Sequence, residues 1–209
     1  MTDFSKLTLQ GFLDALSSDA PTPGGGTAAA TAGAMGAALA QMVSALTLSK
    51  EKYAASHDAV RPIAEAAELA RAEFLALARE DSEAYDEVVG SRRLPKETDE
   101  QKAARAHRIA LANRHAAEVP MQTARAAVRL LGALPELAEK GNPNAASDVG
   151  AAALLLDACV EGALLNVGIN LGGIDEPALV AEMQRETAVL QEEAQRLRSQ
   201  VVALVRKRF

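Results

Sequence analysis

GTAAATAGAMGAALAQMVSALTL, residues 26–48, carries no charge and no proline, and most of its side chains are no larger than threonine. Alanine has the best helix propensity, so the stretch predicts a helix from about Thr27 to Leu48. Its length invites a membrane-spanning reading. Ala, Gly, Thr and Ser are only weakly apolar, however, Gln41 lies inside, and no aromatic anchors flank it. A central helix that its neighbours approach closely is the better description.

The whole chain repeats this composition: 46 Ala and 26 Leu in 209 residues, 3% aromatics and no Trp. A core so poor in aromatic and β-branched residues suits packed helices rather than a sheet. On the N-terminal side Thr8 opens a short helix with Leu9, Phe12, Leu13 and Leu16 at 3–4 spacing, and SSDAPTPGGG breaks it. On the C-terminal side a third helix is expected from about Asp58 to Val89, with Pro62 in its first turn. GSRRLPKE separates it from a fourth, which Thr98 and Gln101 open as a capping box and which runs to about Leu131 with a kink at Pro120. A short turn closed by Gly141 precedes GNPN and an almost wholly apolar helix from about Ala145 to Leu171. Asp175 and Pro177 start the last helix, whose Met183, Thr187, Leu190, Ala194, Leu197, Val201 and Leu204 form a heptad-like seam, to be packed within the subunit or across a dimer. The fold class is all-α: a single multihelical bundle domain over residues 1–209, dimer-forming because its apolar helices offer more surface than one subunit covers.

Charge and cysteine content narrow the function. With 22 Lys+Arg against 28 Asp+Glu the net charge is −6, and no long basic run occurs, which argues against nucleic acid as a partner. One cysteine, Cys159, excludes an internal disulfide framework. His57, His107 and His115 lack metal-ligand spacing, so no metal is expected. MTDFSKLTLQ does not read as a signal peptide, and neither membrane association nor export is expected; the cytoplasm is the default location.

Two polar anomalies remain. The inward stripe of the third helix reads Ile63, Ala67, Ala70, Phe74, Leu77, then Asp81, then Ala84/Tyr85 and Val88. A carboxylate at a core position either ties two helices together or is a base poised by desolvation. On the helix after GNPN, Asp148, Ala152, Cys159, Asn166 and Asn170 share a face with Gly162 and Ala163. That face reads either as a groove for a flat polar ligand or as a set of interhelical hydrogen bonds. Asp157 and Glu161 point the other way. PTPGGG offers free backbone N–H groups and a close approach, though without a phosphate-loop signature. Lys50 and Lys52 in LSKEKY are candidate anion ligands or plain solvated lysines.

Taken together, APTPGGGTAAATAGAMGAALAQMV, LTLSKEKY, EDSEAYDEV, LPKETDEQKAARA, EKGNPNAASDVGAAALL and GALLNVGINL resemble the cyclodeaminase/cyclohydrolase family of one-carbon folate enzymes, from about Phe4 to the last helix. LPKETDEQKAARA is most similar to the stand-alone bacterial cyclohydrolases of that family. Ser49 departs from the Gly that commonly precedes the Lys. The resemblance implies an all-α homodimer acting on the carbon between N5 and N10 of tetrahydrofolate, with no cofactor beyond the folate itself. It makes Asp81, of EDSEAY, the expected catalytic acid/base. It also implies that the PGGG turn (Gly24, Gly25, Gly26) and the NPNAASD segment (Asn144, Asp148) line one pocket. In the mechanism expected here Asp148 holds the water or the pterin, Asn166 and Asn170 bond the pterin edges, Lys50 meets the glutamate tail, and Tyr85 is a further substrate-binding residue. The expected reaction is hydrolysis of the methenyl bridge to the 10-formyl form; release of ammonia from a formimino group is the alternative, and a non-catalytic helical scaffold the rival from outside enzymology.

Overall fold

The computed structural model describes residues 6–208; Phe4, where the resemblance begins, lies outside them. Seven helices follow in order: α1 (Leu9–Leu16), α2 (Gly25–Leu48), α3 (His57–Arg92), α4 (Asp99–Leu131), α5 (Leu134–Lys140), α6 (Ala146–Leu171) and α7 (Pro177–Arg206). Two 3₁₀ turns, Glu51–Ser56 and Pro143–Ala145, join α2 to α3 and α5 to α6. Among the described residues there is no strand. The chain is all-α, as its composition requires.

At the centre α2 packs against α3 on one side and α6 on the other, while α4 bridges α3 and α6 and α7 covers α6. Small side chains make this possible. A Cβ added at Gly33 would fall 2.8 Å from both Cys159 Sγ and the Phe74 ring, and one at Gly36 would lie 2.9 Å from Leu156. Gly25 faces Asn166 while Gly36 faces Leu156, so α2 and α6 run antiparallel. Both helices are long and apolar enough to cross a bilayer, yet 50% and 44% of the two stretches are buried against other helices. Their remaining faces expose Met35, Met42 and Leu46 on α2, and Leu154, Leu165 and Ile169 on α6.

Local signals fall where the sequence places them. Thr8 caps α1 by accepting from the Gly11 N–H at 3.1 Å. Thr98 and Gln101 form the reciprocal capping box of α4. Pro62 differs: α3 starts at His57, out of the preceding 3₁₀ turn, which sets the proline in the second turn rather than the first. Helix α4 continues without interruption through the buried Pro120. In the α7 seam Met183, Ala194, Leu197 and Val201 are buried and Leu190 and Leu204 pack on the same core, so these six pack within the subunit, while the buried Thr187 hydroxyl has no hydrogen-bond partner among the described residues.

Candidate active site

Asp81 comes from the middle of α3 and meets the N-terminus of α2. That terminus has no side-chain cap of its own, because Gly24 stands at the N-cap position. The carboxylate supplies what is missing: Thr27 donates its hydroxyl to Asp81 Oδ2 at 2.9 Å, and the Thr27 backbone N–H also reaches it. The Thr27 hydroxyl shares a second hydrogen bond, 3.1 Å, with Ser82 Oγ. Gly26 has to be glycine for this approach, since a Cβ there would overlap the Asp81 carboxylate, with Cγ only 2.6 Å away. Burial pushes the Asp81 carboxyl above its ordinary value, and the two bonds from Thr27 only partly oppose it. An acid that is desolvated, hydrogen-bonded on one oxygen and aimed at helix N–H groups can take a proton from water and return it.

Sequence reasoning missed Thr27 and Ser82. A hydroxyl directly after three glycines in an otherwise Ala/Gly helix, and one directly after Asp81, were the available signals. Between α4 and α3, His115 lies 3.0 Å from Glu87 and 3.3 Å from Glu80, both on α3. Burial lowers its pKa, but hydrogen bonds to Glu87 and Glu80 outweigh that and raise it.

The other expected site residues divide between two places. Gly25, Gly26 and Asn166 belong to the Asp81 end: Asn166 Nδ2 would stand 3.4 Å from a Cβ on Gly25 and donates to the Gly162 carbonyl at 2.8 Å. Asn170, one turn further along α6, donates to the Ala116 carbonyl of α4 at 2.6 Å and so ties two helices. Tyr85 shares the α3 stripe only loosely; it is 42% exposed, and Ala84 takes the buried position. Lys50, Asn144 and Asp148 lie at the opposite end of α2. There the buried Asn142, which the sequence did not single out, accepts from Tyr53 Oη at 2.8 Å and from the Asn144 N–H at 3.1 Å, while its own N–H donates to Thr47 Oγ1 at 2.9 Å. Thr27 and Thr47 are twenty residues apart on one helix, about 30 Å at 1.5 Å per residue. Within one chain, therefore, the PGGG turn and the NPNAASD segment do not line a common pocket. Ser49 has φ −76° and ψ −6°, a conformation any residue adopts, so the family's glycine is not needed there.

The groove expected along α6 is corrected outright. Ala152, Cys159 and Ala163 are fully buried, with Cys159 packed against Gly33 and Phe74, and desolvation pushes the Cys159 thiol up to about 12. That face is core. Asp157 and Glu161, on the other side, engage α7: Arg198 lies 3.4 Å from Asp157, and Gln191 donates to Glu161 at 2.8 Å.

Open space beside the carboxylate is modest. A cavity of about 260 Å³ is lined by Leu7, Leu9, Phe12, Thr27, Thr31, Leu75 and Ala78. Two slightly larger cavities, about 330 and 320 Å³, are lined by residues of α6 and α7 and of α3 and α4 and include none of the Asp81 partners.

Comparison with known proteins agrees with this architecture. The sequence profile of the family described as Formiminotransferase-cyclodeaminase matches residues 8–189. The chain is 41% identical over 201 residues to a methenyltetrahydrofolate cyclohydrolase of Methylorubrum extorquens, covering 96% of this chain and 97% of that protein. It is 33% identical to the formimidoyltransferase-cyclodeaminase of Gallus gallus, over 96% of this chain but 37% of that longer protein. A crystal structure of formiminotetrahydrofolate cyclodeaminase from Thermotoga maritima superposes with a TM-score of 0.86 at 32% identity, over 97% of this chain and 98% of that one.

Proposed function

The chain belongs to the formiminotransferase-cyclodeaminase family, and from that membership we propose that it is a methenyltetrahydrofolate cyclohydrolase, converting 5,10-methenyltetrahydrofolate to 10-formyltetrahydrofolate. The observation that carries the reading is the desolvated Asp81 carboxylate at the α2 N-terminus. The substrate's bridging carbon sits between two nitrogens that share a positive charge, so it is already electrophilic. Asp81 takes a proton from water, and the hydroxide adds to that carbon. The carbon–N5 bond then breaks as the proton held by Asp81 passes to N5, and the adduct's hydroxyl proton leaves to solvent, so that a formyl group remains on N10 and one net proton is released. One carboxylate with a raised pKa performs both transfers. In this reading Asn166, beside Gly25, and the Gly25–Gly26 backbone meet the pteridine edge, and no metal or organic cofactor enters the scheme; activity should survive EDTA.

The longer relatives and the Thermotoga structure favour a second reading, cyclodeamination, in which N10 attacks a formimino carbon on N5 and ammonia leaves. Purified protein assayed on both substrates separates them. Cyclohydrolase predicts loss of the methenyl chromophore with kcat/KM at least about tenfold above that for ammonia release; the reverse ratio retires it.

We further infer a cytoplasmic homodimer, with no membrane bound, joined through the apolar faces of α2 and α6. Met35, Met42 and Leu46 together with Leu154, Leu165 and Ile169 make an exposed apolar surface along the two antiparallel helices. A two-fold axis crossing the middle of α2 would set the Lys50–Asn144–Asp148 end of one copy against the Asp81 end of the other. The family's motifs would then meet between chains. Light scattering should give twice 21.8 kDa; the single mass contradicts the dimer.

A further inference from the structure

Helix α1 buries none of its residues, and Leu9 and Leu13 are 73% and 48% exposed. Yet with Leu7 it closes one side of the cavity of about 260 Å³ whose other walls are Thr27 and Thr31 of α2 and Leu75 and Ala78 of α3. The two hydroxyls in that wall are already engaged: Thr27 Oγ1 donates to Asp81 Oδ2, and Thr31 Oγ1 donates to the Thr27 carbonyl at 2.8 Å. Neither has its proton free for an incoming ligand. The cavity therefore suits a flat group with apolar faces and few hydrogen-bonding needs. A pteridine, ringed by donors and acceptors, would leave them unmet there. A cavity of roughly 150 Å³ already accepts benzene, so size is sufficient for a phenyl ring.

We propose that this cavity seats the aromatic ring attached to N10 of the tetrahydrofolate substrate, with Phe12 and Leu75 as its contact residues. The assignment rests on the cyclohydrolase reading above and extends it to residues outside the catalytic motif. Its geometry is self-consistent. In the methenyl substrate N10 is bonded both to the reacting carbon and to the aryl ring, so the ring has to lie one residue's width from the base. Thr27 is that residue, touching Asp81 on one side and forming the cavity wall on the other. The pteridine then extends the opposite way, towards Gly25 and Asn166, where backbone and amide groups are available. Helix α1 becomes the specificity element that distinguishes an N10-aryl substrate from a bare pterin.

The test compares two substrates in wild type, Phe12→Ala and Phe12→Leu: methenyltetrahydrofolate, and the methenyl derivative of 6-(methylaminomethyl)tetrahydropterin, whose N10 carries methyl in place of the aryl group. Because α1 buries no residue, both variants should stay folded, which circular dichroism checks. Phe12→Ala should reduce kcat/KM for the aryl substrate about tenfold, an effect of the size seen when an apolar pocket loses part of its complementarity. The aryl substrate should lose at least fivefold more than the N-methyl one, and Phe12→Leu should recover most of the loss. Equal losses on both substrates, or none on either, overturn the ring site while leaving the cyclohydrolase reading intact. If wild type turns over neither substrate, that reading fails on its own. The ring site is then decided by saturation-transfer NMR with p-aminobenzoylglutamate, whose aromatic protons should receive magnetisation from wild type and lose it with Phe12→Ala; equal transfer in the two proteins overturns it.

Discussion

The two ends of α2 are built from similar residue types to opposite effect. At the C-terminal end, Tyr53 donates to Asn142, the Asn142 N–H donates to Thr47, and Thr47 donates to the Val43 carbonyl, a chain of neutral hydrogen bonds that fixes the GNPN segment against the helix. At the N-terminal end the helix relies on a charged group from another helix, and that group is held above its ordinary pKa. Buried polar groups that are fully satisfied rigidify a fold, whereas a desolvated carboxylate is kept at a cost in stability. Position on one helix thus separates the framework from the end where the chemistry is proposed.

Asp81→Asn is the sharpest way to break that contrast. The amide keeps an oxygen for the Thr27 bonds, so turnover of methenyltetrahydrofolate should fall about 100-fold or more, the usual size of lost acid/base catalysis, while the melting temperature should hold or rise. The sign follows from linkage. A carboxyl whose folded pKa lies above its unfolded one makes the native state less stable as pH rises through the interval between them, and the neutral amide removes that loss. Near-normal turnover, or a large drop in stability, would make Asp81 a helix cap and nothing more.

Mixed dimers test whether the two ends of α2 serve one site. If the two ends work together across a dimer, Asp81→Asn and Lys50→Ala homodimers should each be impaired. Mixed dimers should recover activity, because one of their two sites holds both native residues. No recovery after subunit exchange would confine each site to a single chain.

Ala163→Leu has a smaller effect and a different meaning. Because Ala163 is fully buried, the larger side chain should cost roughly 1–3 kcal/mol by overpacking. Calorimetry showing an unchanged melting temperature would restore the groove that the packing has removed. A helical wheel correctly grouped Cys159, Ala163 and Asn166 on neighbouring positions of α6, but it is silent on what lies across from them. Phe74 and Gly33, from helices far away in sequence, decided that. The helices themselves were legible because glycine, proline and the Thr98–Gln101 box mark their ends. Asp81 was legible because it interrupts an apolar stripe. Thr27 was not, since a threonine in an alanine-rich helix looks neutral until the chain brings a carboxylate to it. The division of the family's motifs between two ends of α2 was hidden for a related reason: motif order along the sequence carries no distance.

The smallest effect concerns His115. Its pKa is raised in the folded chain, so its stabilising pairing with Glu87 and Glu80 is fully present below the unfolded value and is lost as pH rises through the folded one. The side chain is 35% exposed, and solvent screening limits the contribution to about 0.5 kcal/mol. His115→Gln should flatten that part of the stability profile, read from denaturant midpoints between neutral and mildly alkaline pH; an unchanged slope would assign it to another group.

The close seam between α2 and α6 also sets an order of events during synthesis. Gly33 and its contact Cys159 are more than a hundred residues apart, so at about 5–20 residues per second α2 emerges roughly 6–25 s before the surface that will cover it. For that interval a long uncharged helix waits without its main partner on one side. Alanine and glycine expose little greasy area per residue, so the composition that lets the two helices touch backbone to backbone also keeps the nascent segment from adhering to other chains. A leucine-rich α2 would fill the same core volume with fewer contacts between backbones and would spend those seconds as an aggregation hazard.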